Sequence, residues 1–193
     1  MTKPFNIVIL ISGTGSNALN LIEHFHNKTI FDKKVIIKKV ISNNPSAKGL
    51  FKAQEKGVDT FVLNHKDFIK REDFDSVLAS LVLKESPNLV LLAGFMRVLS
   101  EAFLSKLDIP ILNIHPSYLP LHKGAHAIKD SFNDSNDFGG VSVHYVSKEL
   151  DSGTILLQEK IKKACDIESF EKDIHTLEYK LYVEAVLKVL KGS

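Results

Sequence analysis

Short, β-rich apolar runs alternate along this chain with segments patterned like helices. That alternation constrains the fold more than any single residue does, because it is the signature of an α/β domain. Five runs stand out, at 5–11, 35–42, 60–63, 89–93 and 109–112. Between them the pattern predicts helices over 16–27, 46–56, 71–85 and 100–106. The third is expected to stop at Ser86-Pro87, since a residue before proline is steered out of the helical region. Runs such as Leu89-Val90-Leu91-Leu92-Ala93 lack polar alternation and imply strands buried on both faces. The predicted fold is a Rossmann-like, open, mostly parallel sheet flanked by helices.

The pattern changes after Leu112. A polar stretch rich in Pro and His, 113–126, precedes a short helix, and segments 141–146 and 154–162 then alternate around the loop 148–153. They read as two antiparallel strands in the C-terminal part. Ile174, Leu177, Leu181, Ala185 and Val189 have helical spacing, so the chain should end in an amphipathic helix. With 193 residues, no internal repeat and no low-complexity tract, the expected organisation is a single domain, 1–193, its halves meeting near residue 108.

Composition excludes several classes. At 44% hydrophobic and 25% charged, the chain is neither disordered nor collagen-like. No apolar run approaches the roughly 20 residues of a membrane span. The start, Met1-Thr2-Lys3-Pro4, runs straight into the first apolar segment without a small-residue cleavage site. The lone Cys165 makes no intrachain disulfide, which fits a reducing cytoplasm. A net charge of +2 is too small to imply nucleic acid as a partner.

Chemistry concentrates in two places. The segment Ser12-Gly13-Thr14-Gly15-Ser16-Asn17-Ala18 follows the first strand and opens the first helix. Glycines let backbone N–H groups approach an anion, and the positive end of the helix favours it, so Gly15, Ser16 and Asn17 are candidate phosphate ligands. The plainer alternative is a tight turn with Ser16 as a cap. A G-x-G-x-x-A pattern is satisfied, yet the acidic residue that a dinucleotide site needs about 20 residues on is replaced by Ser42-Asn43-Asn44-Pro45. The Lys of a nucleoside-triphosphate loop is also missing. A phosphomonoester on a small substrate fits better.

The second place is Asn113-Ile114-His115-Pro116-Ser117-Tyr118-Leu119-Pro120, just beyond the fifth predicted strand, where open α/β sheets bind ligands. Asn113 and His115 are two apart, so in extended chain they share a side, and an amide and an imidazole can point at one carbonyl. Asp151, in Asp151-Ser152-Gly153, is a carboxylate suited to orienting His115 and passing protons through water, or simply the start of a turn.

Ser12 to Asn17, Leu92-Ala93-Gly94-Phe95-Met96-Arg97-Val98-Leu99, Leu112 to Pro120, Ser142-Val143-His144 and Glu149-Leu150-Asp151-Ser152-Gly153 occur in one order along most of the chain. Together they resemble the phosphoribosylglycinamide formyltransferase family, folate-dependent enzymes of purine synthesis. The resemblance implies transfer of a formyl group from the cosubstrate 10-formyltetrahydrofolate to the amine of glycinamide ribonucleotide, without a metal, by a monomer or weak homodimer. It implies that Asn113, His115 and Asp151 form the catalytic trio and that Gly15, Ser16 and Asn17 bind the substrate phosphate. Glu178 matches the substrate-amine region. Arg71, Met96, Arg97, Val98, Leu99, Asn113, Ser147, Lys148, Glu149, Leu150 and Asp151 match folate-contacting positions. The N-terminal half is then the phosphate-binding one, and the half from about 109 carries folate and catalysis.

There are departures. Lys123 stands where the family usually has Pro, Ala127 and Ile128 replace polar residues, and the region around Cys165-Asp166 is short. His122 and His126 are four apart, but Gly124 between them weakens a helical metal pair and no H-E-x-x-H carboxylate is present. His144, on a predicted inner strand, suits a structural hydrogen bond as well as catalysis. Related formyltransferases acting on tRNA, and the folate hydrolases, should carry a further domain for which this chain leaves no room. A nucleotide-binding oxidoreductase and a silent phosphate-binding module are the alternatives of other classes.

Overall fold

A computed structural model describes residues 3–192. The chain divides into two compact units, one up to Leu112 and one from Asn113 onward.

In the first unit β1 (Phe5–Ile11) pairs in parallel with β3 (Lys33–Ser42) on one side and β5 (Leu89–Leu92) on the other, and β4 (Thr60–Val62) extends β3, also in parallel. Every residue of β1 except Asn6 is buried, as a strand covered on both faces requires. A two-residue strand, β2 (Thr29–Ile30), folds back antiparallel on β3 through Phe31 and Asp32, both with positive φ. Two residues carry no periodicity, so this hairpin is invisible to pattern reading. The helices are α1 (Ser16–Phe25), α2 (Lys48–Glu55), α3 (Arg71–Lys84) and the single turn α4 (Glu101–Leu104). Helix α1 buries Ala18, Leu21, Ile22 and Phe25, an i, i+3, i+4, i+7 stripe, and packs on α2 and β3.

The last predicted strand of this half needs correction. It spans Ile111–His115 (β6) rather than 109–112. Pro110 has no N–H to give a ladder and contributes only its carbonyl, to Val90 N–H at 3.1 Å. Strand backbone then continues through Asn113 and His115, whose polar side chains suggested a loop.

The second unit holds α5 (Ala127–Asn133), an antiparallel pair β7 (Phe138–Tyr145) and β8 (Ile155–Lys162), and α6 (Ile167–Gly192). Its fold thus supplies the antiparallel strands of a mixed α/β architecture. The β7–β8 register slips between Val143 and His144, and such an irregularity re-aims the side chain next to it. Helix α6 buries Phe170, Ile174, Leu177, Leu181, Tyr182, Ala185, Val186 and Leu190 against β7, β8 and α5. The Phe170 ring fills the space where a Cβ on Gly139 of β7 would stand, 2.4 Å away.

One contact in the first unit sets the loop between β1 and α1. Gly15 has φ +69°, and a Cβ there would lie 2.7 Å from the Cα of Gly49 in α2. A Cβ on Gly49 would meet Gly15 Cα at 2.8 Å and Ile11 Cδ1 at 2.7 Å, while Gly49 N–H donates to the Gly13 carbonyl at 3.1 Å. Backbone therefore packs directly on backbone. In a free helix Gly→Ala gains about 1 kcal/mol, but overpacking costs about 1–3 kcal/mol, so the clash decides the sign. Gly49→Ala is expected to lower the urea midpoint. A raised midpoint would show that α2 moves away freely.

Candidate active site

The β1–α1 loop runs into the N-terminus of α1. Gly15, the residue before α1, makes no side-chain cap, and the first turn of α1 has no acidic residue to compete for the helix dipole. Space is open over Gly13, where a Cβ would have no neighbour within 4 Å. Asn17 is buried, and its Oδ1 has no hydrogen-bond partner. The position where a dinucleotide site needs a carboxylate, just after β3, is taken by Asn43, whose Oδ1 accepts from Ser12 Oγ at 2.5 Å. That amide is committed inward and cannot serve a ribose as an acid would.

Ser12 also joins this loop to the segment after β5. Its N–H donates to the Gly94 carbonyl at 3.0 Å, and its Oγ accepts from Met96 N–H at 2.8 Å. The ring of His65 contacts Asn43 at 2.8 Å and 3.1 Å and completes the network. The pairing of Asn43 with His65 has no local sequence signal, because the two are 22 residues apart. Among the candidate folate positions, Met96 and Val98 are exposed and Leu99 is buried. The Arg97 guanidinium lies 4.8 Å over the Phe74 ring of α3, three residues along from Arg71, which opens that helix.

In the second unit Asn113, His115 and Asp151 come together. His115 Nδ1 is 3.5 Å from Asp151 Oδ2, and Asn113 Nδ2 is 3.4 Å from Asp151 Oδ1. His115 is 5% and Asp151 8% exposed, and Asn113 is half-buried. His144 joins them, its Nε2 3.2 Å from Asn113 Nδ2 and 3.6 Å from Asp151 Oδ1. Its Nδ1 donates to the Tyr145 carbonyl at 3.0 Å, which assigns the proton to that nitrogen because a carbonyl only accepts. Nε2 of His144 then accepts from Asn113. By the same logic His115 Nε2 donates to the His122 carbonyl at 2.9 Å, leaving Nδ1 to face the carboxylate.

The Asp-Ser-Gly triplet has a steric reason. A Cβ on Gly153 would fall 1.6 Å from the Tyr145 carbonyl oxygen, so only glycine lets this loop lie against the end of β7 and put Asp151 beside His144. Within the preceding 147–150 stretch, Ser147 Oγ donates to the Glu149 carbonyl at 3.1 Å, and Leu150 is exposed.

The 121–124 turn, where the sequence departs from the resembled pattern, is tied into the site. Gly124 N–H donates to Asp151 Oδ2 at 3.0 Å, and Lys123 Nζ donates to Ser152 Oγ at 2.6 Å. Glu178 is buried in α6, and its Oε2 accepts from His175 Nδ1 at 2.6 Å. The pairing holds the His175 imidazole above its ordinary pKa, against the opposing effect of burial.

Burial pushes the Asp151 carboxyl upward, but the His144 ring 3.6 Å away, the Gly124 N–H and the nearby His115 imidazole outweigh it and hold the group below its ordinary value. A depressed carboxyl pKa adds stability that is complete above the unfolded-chain value of about 3.9 and disappears as pH falls through the lower folded value. Asp151 has φ +48°, which Asn tolerates. Asp151→Asn should therefore keep the backbone and make melting temperature fall less steeply with acid below about pH 4. Parallel slopes for variant and unsubstituted protein would contradict this account of Asp151.

Comparison with known proteins gives this geometry its family. A family model described as formyl transferase matches residues 5–186. Phosphoribosylglycinamide formyltransferase of Escherichia coli is 40% identical over 156 residues, covering 81% of this chain and 72% of that protein. Trifunctional purine biosynthetic protein adenosine-3 of Bos taurus is 36% identical over 193 residues, 99% of this chain, which spans only 19% of that protein's length. The crystal structure of phosphoribosylglycinamide formyltransferase from Campylobacter jejuni superposes with a TM-score of 0.94 at 39% identity, covering 98% of this chain and all of that one. The chain belongs to the formyl transferase family.

Proposed function

We propose that this chain is a phosphoribosylglycinamide formyltransferase, moving the formyl group of 10-formyltetrahydrofolate to the amine of glycinamide ribonucleotide. The observation that carries the reading is the meeting of an amide and an imidazole, from Asn113 and His115, on the buried carboxylate of Asp151, at 3.4 and 3.5 Å. Such a set suits direct acyl transfer. The amine lone pair attacks the formyl carbon, and the carbonyl π electrons move onto oxygen. Protonated His115 and the Asn113 amide stabilise that oxyanion. Collapse of the tetrahedral adduct breaks the bond to the folate nitrogen, which takes a proton, while the amine gives one up; Asp151 supports His115 and relays these protons through water.

Gly15, Ser16 and Asn17 hold the substrate phosphate, and anchoring it turns a bimolecular encounter into an oriented one. Glu178 interacts with the substrate amine region. Arg71, Met96, Arg97, Val98, Leu99 and the 147–151 loop contact folate, the exposed Met96 and Val98 being suited to an apolar pterin or benzoyl face. Among the described residues no helix is long and apolar enough to cross a membrane, and we infer a cytoplasmic enzyme acting on small molecules.

The test is a coupled assay with 10-formyltetrahydrofolate and glycinamide ribonucleotide, run beside water and methionyl-tRNA as acceptors. Transfer to the ribonucleotide is expected, and its absence would overturn the assignment. Losing one oxyanion donor typically costs about 10²–10³ in turnover, so His115→Ala should lose that much while ribonucleotide affinity stays nearly intact. Turnover near that of the unsubstituted protein would remove His115 from the mechanism.

A further inference from the structure

The turn that holds His115 is itself held from behind. Asp134, the residue capping the C-terminal end of α5, accepts four side-chain and backbone donors at its carboxylate. They are His122 Nε2 at 2.6 Å, Lys163 Nζ at 2.5 Å, Asn136 Nδ2 at 2.6 Å and Asn136 N–H at 2.9 Å. Lys163 Nζ also donates to the Asp134 carbonyl at 3.0 Å. The donors come from three places along the chain: the 121–124 turn, the residue after β8, and the approach to β7. Despite its partial burial, these bonds keep the Asp134 carboxyl far below its ordinary pKa, so it stays an anion at any working pH.

The far end of this cluster is catalytic geometry. His122 has φ +51°, a conformation that costs a non-glycine residue on the order of 1 kcal/mol or more and persists only where its surroundings enforce it. Its ring is fixed by Asp134, and the left-handed backbone turns its carbonyl onto His115 Nε2. Two residues on, Gly124 at φ +90° turns its N–H onto Asp151. One turn therefore supplies the acceptor for one end of the His115 ring and a donor to the carboxylate at the other.

We propose that Asp134 is a positioning residue for His115: by clamping the His122 ring between α5 and Lys163, it holds the His122 carbonyl where it fixes the tautomer and orientation of the His115 imidazole. The inference rests on the catalytic reading of His115 given above. Without the clamp, His122 is free to leave the left-handed region, its carbonyl swings away, and Nε2 of His115 loses its acceptor. Misplacement of a catalytic group by about 1 Å can cost up to about 10²-fold in rate.

The test uses Asp134→Ala, Asp134→Asn and His122→Gly, the last removing the ring while easing the positive φ, and so remaining informative if loss of the carboxylate impairs folding. Ring-labelled histidine NMR of the free protein, with His115 assigned by its loss in His115→Ala, should show the Nε2–H form in the unsubstituted protein. Asp134→Ala and His122→Gly should show a mixture of tautomers. In the transfer assay Asp134→Ala should lower kcat about 10-fold or more with KM for the ribonucleotide within about twofold. Asp134→Asn, which retains an acceptor for His122, should recover much of that loss. In a His115→Ala background Asp134→Ala should cause no further loss. Unchanged His115 ring signals in Asp134→Ala and His122→Gly would overturn the proposal, as would losses that multiply in the double variant. Shifted ring signals in a protein that transfers no formyl group would count against the substrate assignment and leave the clamp standing.

Discussion

A carboxylate taken out of water must be met by donors, and the need to satisfy Asp151 organises the second unit. Donors reach it from β6 through the Asn113 amide and from the 121–124 turn through Gly124 N–H, while the rings of His115 and His144 lie 3.5 and 3.6 Å from its oxygens. Each comes from an element that has little other reason to converge there. A buried unpaired carboxylate would cost several kcal/mol, so the loops that deliver these donors are selected together. The loop carrying Asp151 adds its own constraint, since Gly153 lies too close to the Tyr145 carbonyl for any side chain.

The two histidines beside Asp151 differ in a way that divides their work. Each is tied at one nitrogen to a main-chain carbonyl, His115 through Nε2 and His144 through Nδ1. A carbonyl cannot donate, so these bonds place one proton on each ring and select opposite tautomers. His144 offers its remaining nitrogen to the Asn113 amide and orients it. His115 presents its remaining nitrogen to the Asp151 carboxylate at 3.5 Å. The register slip at Val143/His144 is what turns His144 into this position.

Much of this was legible in the sequence. The apolar runs of β1 and β5 report burial on both faces, and the glycines of the β1–α1 loop report a backbone that must approach something closely, which in the structure is Gly49. Asn113 and His115 share a side because strand geometry alternates, although the strand carrying them begins later than its apolar content suggests. Composition could not register that shift, since hydrogen bonding along β6 depends on backbone and a proline rather than on hydrophobicity. The role of the 121–124 turn has no side-chain signature in the sequence. Its contributions are a carbonyl and an N–H, groups every residue has, and only left-handed backbone at His122 and Gly124 aims them.

The sequence by itself determined the order and type of the elements, the glycine-rich helix start and the residue types available for chemistry, because these follow from local periodicity, steric preference and side-chain identity. Tertiary structure alone decided which polar groups meet. His65 reaches Asn43, His175 reaches Glu178, His122 reaches Asp134, and Asp151 gathers three side chains and a backbone amide. Such pairings are set by the desolvation of groups brought together through packing, and the free energy that selects them exists only once the chain has closed around them.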